Sequence, residues 1–368
     1  MPHRLKFCLD GGPAGWGRAQ ATGDPEAIRE AVQKTINLGI AADKAGIDSL
    51  WLLEDPDGWD AFAVLGAIAR ETGHIRLGTG VVNPYYRHPA QIAASVSTLD
   101  FLSDGRAFLG IGRGQTEWYE RALGMSIGSP TKRLPETISL LRQWWSDAMY
   151  ASSPPGMTEM GVQGWERELR PLQSHVPIYL AAVGPIAMRI AAEWSDGIIF
   201  NDLTSFDFMR DQIALVKHMA TEAGRDPNAI TFNARCQVTI TDDPESLYER
   251  RKVTVAMIHS LPGMERLLQS ERHDIDKIMA DVRHAMQVDD VLVRGGAFSA
   301  LRREGNLDAA KAAIPTDLMS DLVVAGDMAT VKRKLKDLAD IGITHVFLAA
   351  PKELGELGDI VRNIVERP

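Results

Sequence analysis

Residues 76–111 read RLGTGVVNPYYRHPAQIAASVSTLDFLSDGRAFLGI, and the order of their predicted elements indicates the fold class. The apolar run at 76–82 predicts a strand, and residues 89–102 predict a helix whose first position is a proline. A Ser-Asp-Gly turn at 103–105 leads to the apolar run at 107–111, which predicts another strand. A strand, a helix and a second strand in this order are typical of a parallel sheet.

The same alternation continues through the chain in both directions. Further strands are predicted at 5–9, 49–53, 177–182, 197–201, 231–240 and 345–349. Further helices are predicted at 25–45, 61–72, 135–146, 185–194, 206–223 and 328–341. Eight strands separated by helices predict an α/β protein, a (β/α)8 TIM barrel forming one domain over residues 1–368. An open doubly wound sheet is the alternative, but no GxGxxG motif follows the first strand.

Two stretches interrupt this pattern. Residues 147–176 contain a long connection rich in proline and glycine. Residues 245–325 are charged and helical in pattern, with helices predicted at 265–284 and 289–313. We expect a long loop and a helical insertion before the last strand, both covering the mouth of the barrel.

The composition excludes several kinds of partner. A net charge of −9 argues against nucleic acid and against an anionic membrane surface. No apolar run approaches the ~20 residues of a membrane span, and the first residues lead into a strand rather than a signal peptide. Cys8 and Cys236 form no CxxC motif and indicate a reducing cytoplasm. The nine histidines lack metal-binding spacing, so no metal is expected.

Polar residues and glycines follow the predicted strands, at the end where a parallel barrel carries its functional residues. They are Asp10, Glu54, Asp55, Gly80, Asn83, Arg113, Gln115, Glu117, Ala182, Gly184, Asn201 and Asp202. The adjacent carboxylates Glu54 and Asp55 are candidates for proton transfer. The alternative is that residues 55–58 form a turn that caps the next helix.

Three glycine-containing segments lie at the same end. Gly78 and Gly80 indicate either a bulge that approaches a ligand or the close packing of a helix. Residues 110–115 offer backbone amides to an anion or a polar ring edge, or form a flexible loop. The helix that begins at Pro185 either binds a phosphate at its N-terminus or follows an ordinary turn. Trp59 is a candidate to stack on a planar ligand.

Several of these segments together resemble the luciferase-like superfamily of flavin monooxygenases and deazaflavin oxidoreductases. The matching motifs, which span about residues 5 to 350, are RLGTGVVNP (76–84), YRHPA (86–90), TLDFLSDGR (98–106), LGIGRG (109–114), PIYLAAVGP (177–185), SDGII (195–199), VAGD (324–327) and GITHV (342–346). Residues 184–191 look more like the deazaflavin branch, which uses coenzyme F420.

The resemblance implies an F420-dependent oxidoreductase that transfers a hydride between the deazaflavin ring and a small organic substrate. The alternatives are an FMN-dependent monooxygenase, which activates oxygen and needs a flavin reductase as partner, and a barrel without catalytic activity. Members of the family often pair through barrel helices, so a homodimer is compatible with the resemblance.

The resemblance also implies positions for the cofactor. A non-proline cis peptide bond at Gly80–Val81 would support the middle of the ring, and Trp59 would lie near it. Asn83, Arg113 and Gly114 match positions that touch the cofactor. The positions on the phosphate side are Ala182, Val183, Gly184, Pro185, Ala187 and Met188.

The catalytic positions depart from those of the sugar-phosphate dehydrogenases in this branch. Glu54 and Asp55 stand where those enzymes have Asp-His, and Gln115 stands where they have an acidic residue. A glutamine cannot act as a general base. We therefore expect Asp55 to donate a proton or orient the substrate and Glu54 to hydrogen-bond the cofactor, with Asp10 as the reserve acid.

Overall fold

Eight parallel strands close into a barrel in this computed structural model, which describes residues 5–11, 23–54, 59–114, 119–120, 123–294 and 298–366. Each strand pairs with the next in the chain, and the eighth pairs with the first. The predicted TIM barrel is therefore confirmed. The strands are β1 (Lys6–Asp10), β2 (Ser49–Leu52), β3 (Arg76–Thr79), β4 (Ala107–Ile111), β5 (Ile178–Ala181), β6 (Gly197–Phe200), β7 (Thr231–Ile240) and β8 (His345–Leu348).

Helices surround the barrel and begin where the sequence offers a cap or a proline. Asp24 and Asp60 accept hydrogen bonds from the first amides of two helices, and His88 Nδ1 accepts one from Ala90. No helix in the described ranges has the length and apolarity to cross a membrane. The helices outside the insertion are α1 (Pro25–Lys44), α2 (Ala61–Glu71), α3 (Pro89–Leu102), α4 (Pro130–Trp144), α5 (Pro185–Trp194) and α6 (Phe206–Glu222), followed after the insertion by Met328–Asp340 and Leu357–Glu366.

One of these helices starts earlier than predicted. The expected helix at 135–146 begins at Pro130, so Pro135 lies inside it. Pro130 suits the first helical position, where its missing N–H costs no hydrogen bond. The prediction chose the wrong proline as the start.

The insertion also differs in detail from the prediction of two long helices. Among its described residues are a π-helix at Val255–His259, a 3-10 helix at Glu265–Leu268 and six α-helices: α7 (Pro244–Thr254), α8 (Ile275–Met286), α9 (Val288–Val293), α10 (Phe298–Glu304), α11 (Leu307–Ala312) and α12 (Thr316–Leu322). Gln287 adopts a left-handed conformation with φ 52° and ends α8. Glycine is the usual residue at such a helix end, so the sequence gives no signal for this break. These helices enclose their own apolar cluster, which includes Met257, Met286 and Met319.

Two short pairings were not predicted at all. Tyr150–Ala151 and Trp165–Glu166 pair as antiparallel strands inside the expected loop at 147–176. Ala325–Gly326 pairs with the end of β7. Strands of two residues are too short to show an alternating pattern in the sequence.

The interior of the barrel is filled by an aromatic cluster centred on Trp51. Its ring centroid lies 4.4 Å from that of Phe108, 5.0 Å from that of Tyr179 and 5.6 Å from that of Phe347. Trp51 is 1% exposed. Tilted ring pairs at such distances combine a large buried apolar area with favourable quadrupole contacts.

Glycines on the neighbouring strands make room for these rings. A Cβ atom on Gly78 would lie 2.4 Å from the Phe108 ring, and one on Gly110 would lie 2.0 Å from the Thr79 carbonyl oxygen and 3.2 Å from the Trp51 indole. Both contacts are too close for any side chain. Packing inside the barrel thus explains Gly78 and Gly110, rather than a helix or a ligand.

The opposite, N-terminal end of the barrel holds a buried histidine. His345 begins β8, its Nδ1 lies 2.8 Å from the Thr344 hydroxyl, and its Nε2 lies 3.7 Å from Asp48. Burial lowers the pKa of His345 to about 4, with Lys6 and Arg76 adding to the shift and Asp48 opposing it. The folded chain therefore holds this ring neutral at neutral pH.

We predict that acid destabilises the fold partly through His345. Its pKa is lower in the folded than in the unfolded chain, so its contribution is complete above about pH 6.5 and is lost as the pH falls toward 4. Urea unfolding at several pH values should show His345→Asn reducing the slope of unfolding free energy against pH by up to about 1.4 kcal/mol per unit. His218→Asn, at an exposed position, is the matched control for replacing a histidine by asparagine. Equal slopes for wild type and His345→Asn would contradict the prediction.

Candidate functional site at the barrel mouth

The carboxyl ends of the strands meet at one mouth of the barrel. There the peptide bond Gly80–Val81 is cis, at the position that the family resemblance implied. The chain beyond β3 stays tied to both neighbours, because Gly80 N–H donates to Leu52 and Val82 exchanges hydrogen bonds with Gly110 and Gly112.

Small side chains form the floor of this mouth. A Cβ atom on Gly112 would lie 2.9 Å from Val81 and 3.1 Å from Ala181, and one on Gly80 would lie 3.0 Å from Trp51. Val81 and Ala181 pack on the aromatic cluster below. We call these four residues, Gly80, Val81, Gly112 and Ala181, the floor; it presents backbone and small apolar groups to the space above.

A half-buried ion pair lies beside the floor. Arg235 of β7 donates to both carboxylate oxygens of Asp10, with 2.8 Å from Nε to Oδ2, and its Nη1 lies 3.0 Å from the Gly80 carbonyl oxygen. The side chains of Arg235 and Asp10 are 18% and 20% exposed. The sequence analysis named Asp10 but missed Arg235, although a charged residue within an apolar strand was a usable signal.

A second pair joins the barrel to the insertion. Arg251 of α7 hydrogen-bonds Asp202, which follows β6, and its Nη1 lies 2.9 Å from Gln237 Oε1. Burial raises the pKa of Asp202, although Arg251 opposes the shift. Asp202 was named as a strand-end residue, whereas Arg251 and Gln237 were missed because their partners lie far away in the sequence.

The position of Glu54 requires a revised role. Arg87 Nε lies 2.6 Å from Glu54 Oε1 and Arg87 Nη2 lies 2.9 Å from Oε2, which also accepts the Ala61 amide at 3.1 Å. Burial alone would lower the pKa of Arg87, but its hydrogen bonds to Glu54 and Asp60 outweigh this effect and raise the pKa. Because both oxygens of Glu54 are engaged and the residue is 4% exposed, we revise its role from cofactor binding to holding the start of α2.

Asn83 is also engaged within the protein. Its side chain donates to the Tyr119 hydroxyl at 2.8 Å and accepts the amides of Tyr85 and Tyr86. Gly114 has φ +61°, and a Cβ there would lie 2.8 Å from the same hydroxyl. Asn83 and Gly114 therefore shape the loop beside the floor, while Arg113 remains exposed at the mouth.

The predicted phosphate-side residues differ in their burial. Met188 and Ala182 are buried in the layer between strands and helices, and Val183 and Ala187 pack against it. Met188 N–H bonds to the Gly184 carbonyl oxygen. Met188 is therefore closed off from the surface, whereas Val183, Pro185 and Ala187 keep part of their side chains exposed.

The N-terminus of α5 is open. Gly184 precedes the helix without a side-chain cap, Pro185 carries no N–H, and a Cβ on Gly184 would meet no atom within 4 Å. Helix geometry leaves the amides of Ile186 and Ala187 without an acceptor inside the helix. This end therefore offers N–H groups and the positive end of the helix dipole to an anion.

The remaining predicted positions divide into two groups. Trp59 is half-buried and packs against the layer between strands and helices. Asp55 and Gln115 lie outside the described residues. In the described ranges, no three histidine, cysteine or acidic residues are grouped to hold a metal ion.

Comparison with known proteins places this geometry in a family. The chain is 29% identical over 324 residues to 5,10-methylenetetrahydromethanopterin reductase of Methanolobus tindarius, covering 88% of this chain and 91% of that protein. It is 29% identical over 338 residues to a putative coenzyme F420-dependent oxidoreductase of Mycobacterium tuberculosis, covering 86% and 91%.

A solved structure shows the same fold. The coenzyme F420-dependent tetrahydromethanopterin reductase of Methanopyrus kandleri superposes with a TM-score of 0.73 at 23% identity, covering 97% of each chain. Residues 9–345 match the family model described as luciferase-like monooxygenase. The chain therefore belongs to the luciferase-like family of oxidoreductases and monooxygenases.

Proposed function

We propose that this protein is a coenzyme F420-dependent oxidoreductase that transfers a hydride between the cofactor and a small organic substrate. The observation that carries the proposal is the match, over most of the chain, to relatives named as F420-dependent enzymes. The geometry of the mouth fits the same cofactor in two places.

The first place is the floor. Gly80 and Gly112 allow Trp51, Val81 and Ala181 to pack tightly beneath the mouth. The partly exposed side chains of Val81 and Ala181 then offer a small apolar surface to a planar ring. The aromatic cluster beneath the floor is fully packed, so the ring would rest on a rigid surface.

The second place is the N-terminus of α5. The cofactor carries a phosphate in its side chain, and the free amides of Ile186 and Ala187 suit such a group. The absence of a side chain at Gly184 leaves space for it.

Bound F420 would supply or accept the hydride at its deazaflavin ring. The protein must then manage the accompanying proton, and we assign this task to Asp55, with Gln115 orienting the substrate through its amide. Asp10 is held by Arg235 and Asp202 by Arg251, which leaves Asp55 as the preferred donor. The insertion and the barrel would form one domain. Because Arg251 attaches the insertion to Asp202 at the mouth, the insertion would select the substrate.

An FMN-dependent monooxygenase is the second candidate, and the family model that matches the chain supports it. The same floor and the same helix end would hold reduced FMN, with a flavin reductase supplying the electrons. Excluding water from the ring face matters in both reactions.

We predict that purified protein binds F420 at micromolar or lower concentration and FMN at least about tenfold more weakly. Quenching of tryptophan fluorescence during parallel titrations with the two cofactors measures both constants. Tighter binding of FMN would replace the proposal with the monooxygenase. Binding of neither cofactor would favour a barrel without catalytic activity.

We also predict that Gly184→Asp weakens F420 binding by about tenfold or more, because a carboxylate at this helix end repels the phosphate and competes for its amides. The same substitution should not lower the melting temperature, since aspartate is a good helix cap and the site is open. Gly184→Ala is the matched control and should bind F420 like wild type. A deazaflavin lacking the phosphate should bind all three proteins equally, and unchanged F420 binding by Gly184→Asp would place the phosphate elsewhere.

A further inference from the structure

Arg235 occupies an irregular point in the barrel wall. On β7, Asn233 and Ala234 pair with His345 and Val346 of β8, but the next paired residue is Val238, opposite Leu348. Three residues of β7 therefore face one residue of β8, which is a bulge. Such bulges redirect side chains, and here the Arg235 guanidinium lies 5.8 Å from the centre of the Phe347 ring, over the barrel interior.

From this position Arg235 connects three strands across the mouth. Its fork binds both oxygens of Asp10 at the end of β1, and its remaining nitrogen donates to the carbonyl of Gly80 beyond β3. Gly80 belongs to the floor. A planar guanidinium with five N–H donors can make this set of contacts, whereas an ammonium cannot span the same acceptors.

Stability alone does not account for this arrangement. Burying two charged groups removes them from water, and replacing such a pair by apolar side chains is often neutral or stabilising. Side chains that fill the barrel lower down, such as Phe347 and Trp51, are apolar. The charged Arg235 instead lies where it can hold the Gly80 carbonyl of the floor in a fixed orientation.

We propose that Arg235 is a positioning residue of the cofactor site. It holds the Gly80 carbonyl and the Asp10 carboxylate in fixed positions beneath the cofactor ring. This inference rests on the proposed function, because it assumes that a flavin-type ring lies on the floor. Arg235 acts through the floor and takes no direct part in hydride transfer.

The chain provides a matched control in Arg251. It pairs with Asp202 at the same mouth with similar exposure, 12% and 16%, and its second acceptor is Gln237 rather than a floor residue. Loss of either arginine leaves an aspartate without its guanidinium partner, so both losses should lower stability. Only the loss of Arg235 should disturb the floor.

The experiment compares Arg235→Met, Arg235→Lys and Arg251→Met in the full chain. For each we would measure the melting temperature, the F420 dissociation constant and the absorption spectrum of bound F420. We expect Arg235→Met to weaken binding about tenfold or more and to move the spectrum toward that of free F420. Arg235→Lys should recover part of both, and Arg251→Met should bind within about twofold of wild type despite a lower melting temperature.

The outcomes separate this proposal from the proposed function. Wild-type affinity and spectrum in Arg235→Met, or equal losses in Arg251→Met, would overturn the role of Arg235 while leaving F420 binding intact. If Arg235→Met does not fold, Arg235→Lys against Arg251→Lys makes the same comparison. If wild type binds FMN instead, the panel is repeated with FMN, because the floor lies under either ring; if it binds neither, both proposals fail.

Discussion

The indole of Trp51 fills the middle of the barrel, and the space that it requires governs the strands around it. A Cβ atom on Gly80 would lie 3.0 Å from Trp51, and one on Gly110 would lie 3.2 Å from it. Both distances are shorter than an ordinary van der Waals contact. Gly80, just beyond β3, and Gly110 on β4 therefore let the indole fill the space directly beneath the mouth. The barrel core and the floor of the site are thus consequences of one packing arrangement.

The charged groups around the floor follow a different rule. Asp10 and Asp202 are mostly buried, and each is matched by an arginine from a distant part of the chain. Pairing avoids the large cost of an isolated buried charge, but it does not by itself stabilise the fold. The two pairs instead fix the orientation of their side chains, because a guanidinium that makes several hydrogen bonds holds both itself and its partner in place. Rigid polar groups of this kind are what a site needs beside a reacting ring.

Local signals in the sequence predicted the framework of the barrel well. Apolar runs located all eight strands, and prolines at the first helical position located the starts of α1, α3 and α5. The interactions that shape the site are not local. Arg235 and Asp10 are 225 residues apart, and Glu54 and Arg87 are 33 apart. The sequence analysis therefore assigned Glu54 to the cofactor, whereas the structure shows its oxygens engaged by Arg87. It likewise attributed Gly78 to a ligand or a helix, whereas the Phe108 ring requires the glycine.

The strand β7 connects the floor of the mouth with the helical insertion. The first half of this strand lies in the barrel wall, and its last two residues pair with Ala325–Gly326 beside the insertion. Between them, Gln237 has φ +46° and accepts a hydrogen bond from Arg251 of α7. Arg235, on the barrel side of this turn, contacts the floor, whereas Arg251, on the insertion side, contacts Asp202. Because the helices of the insertion enclose a separate apolar cluster, their sequence can vary without repacking Trp51 or its glycines. Under the proposed function, β7 would thus support the cofactor through Arg235 and the substrate-selecting insertion through Gln237.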